Sequence, residues 1–127
     1  MAKKLKVLSV DDDLINLKLI NIMLKKNQNI DSVVEAKNGL EALEILKGSY
    51  DIDIILLDIK MPIMNGIEFL TNVGTNDKLK NIPVVVLTTD ETKKYEALER
   101  GAYDFLVKPI REHELFDKIQ KIYQLLS

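Results

Sequence analysis

Five side chains able to do chemistry stand where apolar runs of the sequence stop. Asp11 and Asp12 follow LKVLSV (5–10), Asp58 follows IDIILL (52–57), Thr88 follows PVVVL (83–87), and Lys108 follows YDFLV (103–107). Carboxylates brought together raise one another's pKa and destabilise a fold. A hard divalent cation relieves that repulsion, and Mg²⁺ is satisfied by one or two carboxylates with water and phosphate oxygens completing its shell. The chain has a single His and no Cys, so no cluster competes for a softer metal. Lys108 adds a positive charge and Thr88 a hydroxyl donor. Carboxylates, Mg²⁺, a lysine and a hydroxyl are the parts needed to hold a transferring phosphoryl group. Asp58 is then the candidate nucleophile, able to form an aspartyl phosphate.

Each residue taken alone has a plainer reading. Asp11, Asp12 and Asp58 could be turn residues, Lys108 a solvated loop residue, and Thr88-Thr89 the cap of a following helix. Asp13 is expected to be an N-cap rather than a site residue, since it directly precedes a helical pattern. The joint placement at strand ends outweighs the separate readings of the other five.

The scaffold that must position them alternates short aliphatic runs with helical patterns. Besides the four runs above, 32–36 (SVVEA) reads as a weaker, half-buried strand. Continuous runs such as Ile54–Leu57 and Val84–Leu87 suggest strands covered on both faces. Helices are expected over 14–26 (Leu19, Ile20, Met23 and Leu24 toward the core), 40–47 (Leu40, Leu43, Leu46), 66–73 (Ile67, Leu70), 92–100 (Tyr95, Leu98) and 112–126 (Leu115, Ile119, Ile122, Leu126). Gly39 reads as a helix start, Asn65-Gly66 as a turn before a helix, and His113 as an exposed helical residue. Five β-then-α units with right-handed crossovers give an α/β, doubly wound parallel sheet. Ligands of such sheets bind beyond the carboxyl ends of the strands. If the first, third, fourth and fifth strands are neighbours, the five side chains converge in one cleft.

Bulk properties set the surroundings. A length of 127 residues predicts one domain over 1–127 with a real core. Net charge is −2, and the basic residues are dispersed and almost all Lys, with Arg only at 100 and 111; a nucleic-acid binder would cluster them. The absence of Cys fits a reducing compartment. Met1-Ala2-Lys3-Lys4 leads into an apolar strand with no signal-peptide pattern, and no run has transmembrane length. The expectation is a cytoplasmic protein that binds neither membrane nor nucleic acid.

The motifs VDDD (10–13), EAKNGLEAL (35–43), LLDIKMPIMNG (56–66), PVVVLT (83–88) and ALERGAYDFLVKP (97–109) stand together in order. With them the chain resembles a response regulator receiver domain of two-component systems, similar to the single-domain chemotaxis regulators, from Val7 to Ile122. The resemblance implies a flavodoxin-like, five-stranded sheet in the order 2-1-3-4-5 with five helices. It implies that Asp58 accepts a phosphoryl group from a histidine kinase or phosphotransfer protein. It further implies that Asp12 ligates Mg²⁺ directly, Asp11 acts through water, and the Lys60 backbone carbonyl is a third protein ligand. Thr88 and Lys108 would contact the phosphoryl group, Phe105 would turn inward as Thr88 moves, and Lys108-Pro109 would be cis. Such a domain assists its own phosphorylation and dephosphorylation and is a switch, not a turnover enzyme, acting on a downstream protein.

Some positions depart from the pattern. Lys60 and Asp90 match the positions flanking the attacking water, and a Lys at the first predicts a longer-lived phosphoryl group. The stretch from Thr88 to Gly101 is shorter than the family's, so the fourth helix is expected to be short or its loop tight. Two other classes fit less well. An Asp-nucleophile phosphohydrolase would carry DxD, where this chain has Lys60, and a dinucleotide-binding half-domain would carry G-x-G-x-x-G after the first strand. A pseudo-receiver would lack site residues that are all present here.

Overall fold

Aliphatic β-branched runs set the strands, and amphipathic patterns between them set the helices. The computed structural model describes residues 3–48 and 51–126 of the domain expected over 1–127. Its elements are β1 (Leu5–Val10), α1 (Leu14–Lys25), β2 (Ile30–Ala36), α2 (Gly39–Lys47), β3 (Ile54–Asp58), α3 (Gly66–Gly74), β4 (Val84–Thr88), a 3₁₀ turn (Glu91–Lys93), α4 (Lys94–Glu99), β5 (Asp104–Val107) and α5 (Glu112–Leu126). The strands form one parallel sheet in the order β2-β1-β3-β4-β5, the expected flavodoxin-like arrangement.

Successive side chains of a strand face opposite ways, and β3 shows the result. Ile55 and Leu57 join the core under α2, α3 and α4, with Leu43, Leu46, Phe69, Leu70, Val73 and Ala97. Ile54 and Leu56 join the core under α1 and α5, with Ile20, Leu24, Leu115, Ile119 and Ile122. Helices on both faces explain why these strands read as unbroken aliphatic runs.

Several boundaries and core positions differ from expectation. Asp53 lies before β3 because its carboxylate takes the Lys6 N–H at 2.8 Å, with Lys3 at 3.3 Å. β4 starts after Pro83, which has no N–H to give the ladder but accepts from Ile55 N at 3.0 Å. β2 begins earlier, at Ile30, which pairs with Leu5. In α1 the buried residues are Leu17, Ile20 and Leu24, while Leu19 is exposed; in α2, Ala42 is buried and Leu40 is not. Leu126 is also exposed.

The largest correction is at α4. Asp90 accepts from Thr92 N at 2.9 Å and caps the 3₁₀ turn, so the helix begins only at Lys94. Its buried residue is Ala97; Tyr95 is 72% exposed, and Leu98 is exposed too. The helix ends at Glu99, and Gly101, just past its cap at Arg100, has a φ of 101° that suits glycine. The fourth helix is short, as the shortened stretch implied, and packs with a small residue where Tyr95 and Leu98 were expected to point inward.

Candidate functional site

Strand register places the chemistry. Val10 pairs with Leu57, Asp58 with Leu87, and Thr88 with Val107. Asp11 therefore leaves β1 level with Asp58, the last residue of β3. Thr88 closes β4, and Lys108 follows β5, its N–H donating to the Thr88 carbonyl at 2.7 Å. The adjacency that the sequence left conditional is present.

The five side chains meet at the carboxyl edge of the sheet. Asp11 and Asp58 are 5% and 8% exposed, Thr88 is buried, and Asp12 faces solvent. Oxygens of Asp11, Asp12 and Asp58 all lie within 4.8 Å of one another. Lys108 Nζ reaches between two of them, 3.0 Å from Asp11 Oδ2 and 3.4 Å from Asp58 Oδ1. The Ile59 N–H donates to Asp58 Oδ1 at 3.0 Å. This all-oxygen, multiply anionic donor set fits a hard divalent cation such as Mg²⁺.

The electrostatics follow from crowding. Burial lifts the Asp58 carboxyl to about 6; the Asp11 charge adds to the rise, while Lys108 and the Ile59 N–H oppose it. Burial pulls Lys108 down, but the hydrogen bond to Asp11 and the charges of Asp58 and Asp11 outweigh it, so its net direction is up. Burial thus works against the charge of Asp58, and Lys108 remains a cation.

Around this centre, Thr88 Oγ1 accepts from Asp90 N at 3.0 Å. Hydrogen bonds from Thr92 hold the Asp90 carboxyl low, with smaller help from the charges of Lys93 and Lys60. Lys60 is exposed in the loop after β3. Phe105 is half-buried against the α2–α4 side of the core. The Lys108-Pro109 peptide is cis. Asp13 accepts from Ile15 N at 2.9 Å and caps α1, and His113 is exposed on α5.

Two features of the loop between β3 and α3 escaped the sequence reading. Gly66 does more than turn the chain: a Cβ there would stand 2.6 Å from the Asp58 carbonyl oxygen and 2.7 Å from Ile59 Cα. Its N–H donates to Ile59 O at 2.8 Å, so α3 starts directly on the backbone that carries Asp58. Glycine was visible in the sequence; the close approach that requires it was not. Ile63, 75% exposed, has φ 68°, a left-handed conformation that a β-branched residue rarely adopts.

A family model for the response regulator receiver domain matches residues 7–120. The chain belongs to this family. It is 43% identical over 118 residues to a protein-glutamate methylesterase/protein-glutamine glutaminase of Clostridium acetobutylicum, covering 89% of this chain but 33% of that protein. The chain therefore spans about a third of that relative's length. It is 32% identical to chemotaxis protein CheY-3 of Vibrio cholerae, covering 99% of this chain and 97% of that one. Among solved structures, the receiver domain of Francisella response regulator 1452 superposes with a TM-score of 0.86 at 30% identity, covering 98% of this chain and all (100%) of that one. Receiver domains are signalling modules of phosphorelays, and Mg²⁺-dependent phosphorylation of an aspartate is their general property. They interact with histidine kinases or phosphotransfer proteins. Among the described residues no helix is long and apolar enough to cross a membrane.

Proposed function

We propose that Asp58 is the phosphoacceptor of this receiver domain and that the domain spans 1–127. The observation that carries this is the position of Lys108 Nζ between Asp11 and Asp58, beside a third carboxylate, at the carboxyl edge of the sheet. Asp11, Asp12 and Asp58, with the Lys60 carbonyl, would hold Mg²⁺; bound there, the ion would neutralise the carboxylates and the charge that develops on the transferring phosphoryl group. An Asp58 oxygen attacks the phosphorus of a partner's phosphohistidine, the P–N bond breaks as the P–O bond forms, and the imidazole leaves. Lys108 then exchanges carboxylate contacts for a phosphoryl oxygen. The Thr88 hydroxyl turns from Asp90 N toward the same group, and Phe105 follows.

The domain works as a switch in the cytoplasm rather than as a turnover enzyme, with a downstream protein as its target. The absence of Cys and the dispersed basic residues support that setting and argue against direct nucleic-acid binding. A phosphohydrolase would need an acid-base carboxylate where Lys60 stands.

Acetyl phosphate with Mg²⁺ should add one phosphoryl group to the intact chain, observed by mass and by loss of the adduct in hydroxylamine and in alkali. Asp58→Asn should add none. Persistent labelling of the Asn variant would sink the assignment.

A further inference from the structure

Phe105 is gripped from outside by a cation. Lys94 Nζ lies 4.6 Å from the Phe105 ring centroid and 5.9 Å from that of Tyr95. The lysine is half-buried at the first turn of α4, where partial loss of water strengthens attraction to a ring face. The backbone beneath the ring is tied separately. Asp104 Oδ1 accepts the Phe105 N–H at 2.8 Å, and Asp104 Oδ2 pairs with Lys118 of α5 at 2.8 Å. The strand is thus fixed to α5, and what is left to move is the ring, covered by Lys94.

We propose that Lys94 is a positioning residue, a cation–π latch that holds Phe105 in its resting place and sets how strongly Asp58 chemistry must pull to release it. The proposal rests on the reading of Asp58 and Phe105 as the two ends of one switch. The ring face meets Lys94 in the present arrangement and leaves it on turning inward, so the contact favours one state, and only such a differential interaction shifts a population. An attraction of this kind at a partly exposed site changes a two-state equilibrium about two- to fivefold. Coupling is reciprocal, so with the resting state predominant in free protein, removing the latch tightens binding of a phosphoryl mimic at Asp58 by the same factor.

The test uses the full chain labelled with ¹³C-phenylalanine. Phe69, Phe105 and Phe116 give separate ring signals, assigned with Phe105→Leu. Lys94→Met keeps the length of the side chain and removes its charge; Lys94→Arg keeps the charge. In free protein, Lys94→Met should move the Phe105 signals toward their positions in the beryllofluoride–Mg²⁺ adduct. It should also lower the half-saturating beryllofluoride concentration about two- to fivefold. Lys94→Arg should stay near the unsubstituted protein. Ring signals and saturation unmoved in Lys94→Met overturn the latch while leaving Asp58 phosphorylation standing. A Phe105 ring in the unsubstituted protein that ignores beryllofluoride overturns the switch reading itself, and the latch with it.

Discussion

Replacing Asp58 by Asn is expected to stabilise the folded chain at pH 8 in the absence of divalent cations. The carboxylate is 8% exposed, beside Asp11, and burial lifts its pKa from 3.8 to about 6. A raised carboxylate pKa means that the folded state binds the proton more tightly than the unfolded state does, so ionisation costs stability. Above about pH 6 the group is charged in both states and the full cost applies. Between pH 6 and 3.8 the folded state takes up the proton first, and the cost fades. Below 3.8 both states are neutral and nothing remains of it. The rise corresponds to a ceiling of about 3 kcal/mol. With relaxation around the cleft, a gain of roughly 2 kcal/mol is expected for Asp58→Asn, or about 8 °C in Tm for a chain of this size. Asn keeps an oxygen for the Ile59 N–H, and Lys108 keeps Asp11 at 3.0 Å. The assay is a pair of thermal or urea melts in chelator, at pH 8 and near pH 4. An Asn variant no more stable than the unsubstituted chain at pH 8, or equally stabilised at both pH values, refutes the electrostatic reasoning. Mg²⁺ should raise the Tm of the unsubstituted chain with concentration and raise that of the variant less.

Lys60→Asn is expected to accelerate loss of the phosphoryl group from Asp58, followed as decay of the labelled species after the donor is removed; an unchanged decay means that Lys60 merely points to solvent. Gly66→Ala should destabilise the fold by roughly 1–3 kcal/mol and weaken the Mg²⁺-dependent rise in Tm, because the added Cβ meets the Asp58–Ile59 backbone, which has no slack to retreat. Ile63→Gly should stabilise the chain by about 1 kcal/mol in urea melts by relieving the left-handed backbone at φ 68°.

Much of this arrangement was legible because strand ends and chemistry coincide. Ile54–Leu57 announces a strand buried on both faces, and such a strand can only present Asp58 at its carboxyl end. Asp11, Thr88 and Lys108 follow the same logic. Hidden from the sequence was whatever depends on two segments meeting. The need for glycine at 66 comes from the backbone of Asp58 and Ile59, and the lysine over Phe105 comes from a different element. Helix α4 was misread for a related reason. Its apparent stripe of Tyr95 and Leu98 assumed a helix starting at 92, but the Asp90 cap delays the start and turns Ala97 inward instead. Leu19 and Leu40 look like core by type and spacing, yet their helices present Leu17 and Ala42 to the sheet.

The shortness of α4 reaches beyond packing. Six residues fastened through Ala97 make a segment with little apolar burial to lose, and its amides should exchange with solvent far faster than those of β3 or β4. Local opening of that kind costs much less than global unfolding. The stretch between Thr88 and β5 can therefore rearrange while the sheet that carries Asp58 stays intact; with Asp58 as the proposed phosphoacceptor, the receiving end of the molecule is built to hold still and the reporting end to let go.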